Sequence, residues 1–150
     1  TLRLCMRNRS DEPAPAGIGW HPYLLCAPAS VWRHDAQTLW RLGADFVPTG
    51  ESVPYAAETD DNLYLSRWSR AALVHADGSG VAIKGDPALD HLILHRPATG
   101  GYLCIEPVSH VADGFNLAAR GVDGTGSAIL QPGETLAGTV RLTLLPTRGT

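Results

Sequence analysis

The stretch Gly17-Ile18-Gly19-Trp20-His21-Pro22-Tyr23 carries the strongest local pattern of this chain. Alternating proline and alanine at positions 13–16 precede it, which is typical of extended chain entering a tight bend. The two glycines let backbone approach other backbone or a ligand closely. The proline cannot donate to a sheet ladder and favours an extended conformation at the histidine before it. A histidine fixed there between two aromatic residues is a candidate proton donor, and the alternative is that it only hydrogen-bonds a neighbouring loop.

Length and charge exclude several classes of protein. The chain has 150 residues, which fits one domain, and it carries a net charge of -3. Its 12 Lys and Arg residues are scattered singly, so nucleic acid is not an expected partner. No apolar run approaches the roughly 20 residues that cross a membrane, and no secretory signal is visible. We expect a cytoplasmic protein.

The cysteines predict neither disulfides nor zinc. There are three of them, Cys5, Cys26 and Cys104, and no pair has CxxC spacing. Reduced thiols are the default and suit the cytoplasm. His91 and His95 share one side of a predicted strand but lack a third ligand, so we expect no metal site.

Short apolar or alternating segments, separated by Gly and Pro, recur along the chain. They predict strands at 1–7, 23–26, 38–42, 90–95, 101–107, 128–130 and 135–145. The apolar runs 71–75 and 81–84 flank Asp77-Gly78 and predict a hairpin. Loops are predicted at 27–37, where a short strand begins near residue 30, at 44–57, and at 109–116, where a single helical turn is the alternative. The pattern predicts an all-β antiparallel sandwich.

Glu106 is the second candidate for chemistry. It follows the apolar run 103–105 and precedes Pro107. A carboxylate buried at a strand end needs hydrogen-bond donors or becomes neutral, and such groups often act as acid or base. The alternative is an ordinary surface glutamate at the end of a strand.

Two adjacent acids and three aromatic residues suit a hydroxyl-rich ligand. Asp60 and Asp61 could accept hydrogen bonds from hydroxyl groups, although adjacent acids more often form a solvated turn. Trp20, Tyr23 and Trp68 could stack against sugar rings, although core packing is the commoner role of such side chains. His110 is interpreted as structural.

Ordered motifs along the chain resemble those of the aldose 1-epimerase (galactose mutarotase) family. Residues 13–23 resemble the family's PaPfglGfHPYF segment, with Asn8 matching an upstream Asn. Residues 104–116 resemble cvEPvThapdafN, and residues 130–134 resemble L-x-PGE. Residues 61–68 are similar to lDn-x-f…w, less tightly. The resemblance spans the whole chain.

This resemblance implies a galactose mutarotase-type β-sandwich that interconverts the α and β anomers of a free aldose. It implies that Glu106 is the base on the anomeric hydroxyl and His21 the acid on the ring oxygen. It implies that Asp61 binds sugar hydroxyls, with Asp60 as the fallback because the spacing to Trp68 is one residue longer than in the family. Tyr23 and Trp20 are the remaining expected sugar contacts. One carboxylate and one imidazole can move both protons without a metal or redox cofactor.

The family's domains are about twice this length. The resemblance therefore implies that residues 1–150 are the C-terminal portion of one such domain, and the absence of an initial Met agrees with that. The family's N-terminal half carries a further arginine and histidine that contact sugar. We expect the missing half, or another copy of this chain, as a partner, and little or no activity from the fragment alone.

Two other functions remain open from the sequence. One is a non-catalytic carbohydrate-binding or sugar-sensing module that uses the same groove. The other is a relative of hexose-6-phosphate 1-epimerases, in which Arg67 and Arg70 would bind the phosphate.

Overall fold

The computed structural model describes residues 1–57 and 61–147. These residues form thirteen strands, one short α-helix and one 3₁₀ turn. The strands are β1 Leu2–Arg7, β2 Ala14–Ala16, β3 Tyr23–Cys26, β4 Val31–His34, β5 Thr38–Leu42, β6 Pro48–Pro54, β7 Asn62–Ser66, β8 Arg70–Val74, β9 Gly80–Gly85, β10 His91–His95, β11 Gly101–Val108, β12 Ala128–Leu130 and β13 Thr135–Leu145. The helix α1 is Gly114–Ala119, and the 3₁₀ turn is Pro87–Leu89.

The strands build two large antiparallel sheets and one small one. The five-stranded sheet has the order β1-β13-β9-β8-β4, and the six-stranded sheet has the order β3-β11-β10-β7-β5-β6. Strands β12 and β2 form a separate pair. The predicted all-β antiparallel sandwich is confirmed.

The core lies between the two large sheets. Because side chains alternate along a strand, each sheet sends every second residue inward. Residues such as Leu73 and Ile83 from the five-stranded sheet meet Leu92 and Ile105 from the six-stranded sheet in one buried cluster. Trp68 is buried in the same cluster, and its indole N–H donates to the carbonyls of Leu89 at 2.7 Å and His91 at 3.0 Å. The indole of Trp68 is therefore part of the core.

The long segments predicted from alternation have the expected structure. Strands β8 and β9 form the predicted hairpin, with Val74 paired to Gly80. Strand β13 covers the predicted range 135–145 and pairs with both β1 and β9.

The loop predicted at 44–57 is wrong in its middle. Strand β6 lies there and pairs with β5 at the edge of the six-stranded sheet. Pro48 and Pro54 stand at its two ends, where an edge strand tolerates the missing N–H, and Gly50 adopts a φ of 97°. The loop predicted at 27–37 contains β4, and α1 continues three residues past the predicted helical turn.

Helix α1 covers one end of the outer face of the six-stranded sheet. Leu117 from the helix packs with Val111 and with Trp40 of β5, and Tyr64 and Val122 border this second cluster. Among the described residues, no helix is long or apolar enough to cross a membrane.

Truncation of Leu92 should be far more destabilising than truncation of Leu144. Leu92 is 0 % exposed in the core, so Leu92→Ala should lower the free energy of unfolding by about 2–5 kcal/mol. Leu144 is 82 % exposed, so Leu144→Ala should change the free energy of unfolding by less than about 0.5 kcal/mol. Urea denaturation of both variants measures the difference. Equal effects would contradict the assignment of the core.

Candidate active site

One strand register brings His21 and Glu106 together. Tyr23 pairs with Cys104 in the β3–β11 ladder, and an isolated bridge pairs Gly19 with Val108. Both pairs belong to the same antiparallel register, so His21 lies directly opposite Glu106. Its imidazole Nε2 is 3.3 Å from the Glu106 carboxylate Oε1. The acid and the base inferred from the family resemblance therefore face each other.

Backbone bonds hold the segment before His21 against β11. The Trp20 N–H donates to the carbonyl of Pro107 at 3.0 Å, and the Ser109 N–H donates to the carbonyl of Ile18 at 2.8 Å. The Ile18 N–H donates to the Ser109 hydroxyl at 3.0 Å. These bonds precede Pro22, which has no N–H to contribute, and the β3–β11 ladder continues after it from Tyr23.

Position 17 has no room for a side chain, because the His110 ring lies against it. A Cβ placed on Gly17 would lie 2.1 Å from Cε1 of His110, which is far inside van der Waals contact. The His110 ring stacks on Phe115 with ring centroids 4.9 Å apart and lies 3.1 Å from the Ser109 hydroxyl. His110 therefore packs the base of the His21 segment, in agreement with its interpretation as structural.

The pair lies on the outer face of the six-stranded sheet. Ile105 and Leu103 point into the core, so Glu106 and Cys104, which alternate with them, point outward. His21 and Tyr23 lie on this outer face and are exposed. Trp20 packs against the core on the other side of the sheet, so the structure does not bring it to His21 and Glu106.

A row of aromatic rings extends from the pair across the outer face. Tyr23 stacks on His21 with centroids 4.9 Å apart and an interplanar angle of 13°. Tyr102 follows at 5.0 Å from Tyr23, and His95 at 6.5 Å from Tyr102. The imidazole of His95 is hydrogen-bonded through Nδ1 to the side-chain oxygen of Asn62. This row offers ring faces and polar edges beside the pair.

Sequence reasoning missed Tyr102, Cys104 and Tyr64 as members of this face. Period-two alternation from Glu106 would have found Cys104 and Tyr102. Tyr64 could not be found that way, because it lies on β7, two strands away from Glu106. Ile93 of β10 lies between them and pairs with Glu106 on one side and with Tyr64 on the other.

Burial shapes the acid–base properties of the site. The Glu106 side chain is 8 % exposed, and this burial raises the pKa of its carboxyl group, while the nearby His21 partly opposes the shift. The His21 side chain is 52 % exposed. Burial, aided by the Glu106 charge, raises the pKa of the Cys104 thiol to about 11 and also raises the pKa of Tyr64. Glu106 is thus a stronger base than a surface carboxylate, and Cys104 is a neutral thiol at pH 7.

Asp61 is engaged by Arg96. Its Oδ1 accepts from Nε of Arg96 at 2.7 Å and lies 2.5 Å from Nη2 of the same guanidinium. The guanidinium of Arg96 lies 4.6 Å from the ring centroid of Trp32, in the five-stranded sheet. Sugar binding by Asp61 and Trp20 stays a prediction. The fallback, Asp60, lies outside the described residues.

Solved structures share this architecture. A protein from Escherichia coli K12 that carries the provisional name aldose 1-epimerase has a TM-score of 0.77 and 22% identity, with 95% of this chain and 54% of that one covered. A galactose mutarotase-like protein from Clostridium acetobutylicum has a TM-score of 0.79 and 19% identity, with 95% and 51% covered. A galactose mutarotase related enzyme from Lactobacillus acidophilus has a TM-score of 0.67 and 19% identity, with 97% and 57% covered.

The chain has a galactose mutarotase-like fold. It spans about half the length of these three structures. The resemblance read from the motifs is thereby confirmed at the level of the fold, and identities this low carry no further conclusion about activity. No protein-family model matches the chain, and no curated protein matches it.

Neutralising Glu106 should stabilise this mutarotase-like chain in a pH-dependent way. The folded-state pKa of Glu106 lies above the ordinary value of 4.5, so the folded state retains a proton that the unfolded state releases. The free energy of unfolding of the wild type therefore falls as the pH rises from the ordinary pKa of Glu106 toward its higher pKa in the folded state. Glu106→Gln removes this loss, so its free energy of unfolding should exceed that of wild type by an amount that grows from pH 4 toward pH 7.

Urea denaturation across this pH range measures the effect, and Glu12→Gln is the control because Glu12 is exposed. A stability difference for Glu106→Gln that shrinks as the pH rises would show that the folded protein stabilises the carboxylate.

Proposed function

We propose that the protein carrying this chain is an aldose 1-epimerase, an isomerase that interconverts the α and β anomers of a free aldohexose such as galactose. The observation that carries the proposal is the 3.3 Å approach of a half-exposed imidazole to a buried carboxylate. This pair lies on an open, aromatic-lined sheet face within a galactose mutarotase-like fold.

The two groups have complementary roles in ring opening. Glu106 removes the proton from the anomeric hydroxyl, and protonated His21 supplies a proton to the ring oxygen as the bond to the anomeric carbon breaks. The open aldehyde rotates about the bond next to its carbonyl. Ring closure then reverses both proton transfers on the other face of the carbonyl.

The surrounding residues suit a sugar. Tyr23 presents an exposed ring beside His21, and the apolar face of a pyranose can pack on it. Asp61 remains a proposed sugar contact, whereas Trp20 packs against the core on the other side of the sheet and would not reach a sugar at the pair. Because the chain spans about half of the structures it resembles, we propose that residues 1–150 are the C-terminal portion of one domain. The other half, or another copy, would then complete the sugar site.

The proposed setting is the cytoplasm. Cys5, Cys26 and Cys104 are all free thiols, which agrees with a reducing compartment.

Mutarotation of α-galactose, followed by polarimetry on the whole protein that contains these residues, tests the proposal. Wild type should accelerate the approach to anomeric equilibrium. Glu106→Gln and His21→Gln should each lower kcat by roughly 10²–10⁴-fold while sugar binding, followed by tryptophan fluorescence, is retained. Glu12→Gln should match wild type, since Glu12 is an exposed residue of the segment between β1 and β2.

Sugar binding without acceleration by wild type would instead identify a carbohydrate-binding module. In that case Glu106→Gln would leave catalysis absent and binding unchanged. No acceleration and no binding would exclude both functions.

The position of Arg70 does not support the alternative of a sugar-phosphate substrate. Arg70 lies on the outer face of the five-stranded sheet, where it pairs with Lys84 in register and contacts the Asp35 carboxylate at 3.6 Å. Ala71, the next residue, points into the core. Arg70 and Glu106 therefore occupy opposite outer faces of the sandwich, and a single hexose phosphate cannot bridge them.

A further inference from the structure

A third donor atom lies beside the His21–Glu106 pair. Cys104 precedes Glu106 by two residues on β11, so both side chains point to the outer face. Its register partner on β3 is Tyr23, the neighbour of the His21 ring. The His21 nitrogen, the Cys104 sulfur and a Glu106 oxygen all lie within 4.8 Å of one another.

We propose that His21, Cys104 and Glu106 form a binding site for a thiophilic divalent cation, Zn²⁺ in the first place. Imidazole nitrogen, thiolate sulfur and carboxylate oxygen are the three protein ligands that zinc takes. Three such ligands leave a fourth tetrahedral position, which here faces the solvent on the side of the half-exposed His21.

The spacing is close to that of a zinc site. Tetrahedral zinc with bonds of 2.0–2.3 Å places its ligand atoms about 3.3–3.7 Å apart. The nitrogen and oxygen of His21 and Glu106 already meet this requirement at 3.3 Å. From the upper limit of 4.8 Å, the Cys104 sulfur would have to approach the other two ligand atoms by roughly 1 Å.

Zinc binding can be written with its charges and its protons balanced. The Cys104 thiol gives its proton to solvent as the sulfur–zinc bond forms, and His21 binds as the neutral imidazole. The thiolate and the carboxylate then compensate the two positive charges of the metal. The buried Glu106 carboxylate, whose charge His21 compensates only in part, thus acquires a divalent partner.

The same arrangement would inhibit sugar chemistry. A metal on Nε2 of His21 removes the proposed acid, and a metal on Glu106 removes the proposed base. This inhibition rests on the proposed function, whereas the binding itself does not. Zinc would therefore compete with the sugar and act as an on–off control of the site.

Cobalt substitution gives a readout that is independent of activity. The chain is prepared as Cys5→Ser/Cys26→Ser, which leaves Cys104 as the one thiol, and is titrated with Co²⁺ under reducing conditions. We expect a near-ultraviolet sulfur-to-cobalt charge-transfer band that saturates at one equivalent and is removed by added Zn²⁺. The further change Cys104→Ser should abolish the band, and His21→Ala should weaken cobalt binding at least tenfold.

His75→Ala is the matched control, because His75 lies in the hairpin of the five-stranded sheet and bonds the Ser30 hydroxyl. It should leave the titration unchanged. His21 is half exposed, so its variant remains informative even if Cys104→Ser fails to fold. No charge-transfer band, or a band that His21→Ala leaves unaltered, would overturn the proposal. If the band appears and the whole protein does not catalyse mutarotation, the metal site stands and the proposed function fails.

Discussion

The structure of the candidate site depends on the pairing of residues 18–23 with the end of β11. This pairing continues the β3–β11 register beyond the regular strand and across Pro22, and the bonds from Trp20 and Ile18 hold it there. A slip of one residue would exchange the two faces of the segment. Trp20 would then point outward and His21 would enter an apolar core. The placement of the imidazole is therefore a consequence of strand register, which the burial of Trp20 and Pro22 enforces.

The candidate site combines a buried carboxylate with a half-exposed imidazole. Removing Glu106 from solvent disfavours its charge, and a single imidazole compensates only in part. A chain selected for stability alone would place an apolar residue at this position, as it does at Ile105 and Leu103. Retention of an incompletely compensated carboxylate in an otherwise well-packed sheet is the arrangement expected where that carboxylate is used. The exposure of His21 agrees with its proposed role, because a proton donor must be reached by its substrate.

Sequence patterns predicted the parts of this structure in which local chemistry and tertiary context agree. Strand β13 and the β8–β9 hairpin alternate cleanly because one face of each is buried. Strand β6 was missed because its prolines and glycine are breakers in local terms, and only its edge position makes them acceptable. His21 and Glu106 were each suspected from local context. Their contact was implied by family motifs alone, since no local rule specifies which distant strands become neighbours. Asp61 shows the same limit, because its guanidinium partner, Arg96, comes from the segment that follows β10.

The chain spans about half the length of the structures it resembles. Two requirements of the proposed site, the placement of the pair and the orientation of a sugar, therefore have to be considered separately. His21 and Glu106 lie on neighbouring segments of one sheet, so their mutual distance needs nothing from outside the described residues. Orientation of a sugar is different, because hydroxyl groups project in several directions and a single sheet face contacts only one side of a ring. Tyr23, Tyr102 and His95 supply such a face. The His21–Glu106 pair, and with it the three-donor cluster that includes Cys104, is therefore formed by the described residues alone, whereas the proposed sugar site would need further contacts. A small cation needs only that cluster, whereas a pyranose needs a second wall.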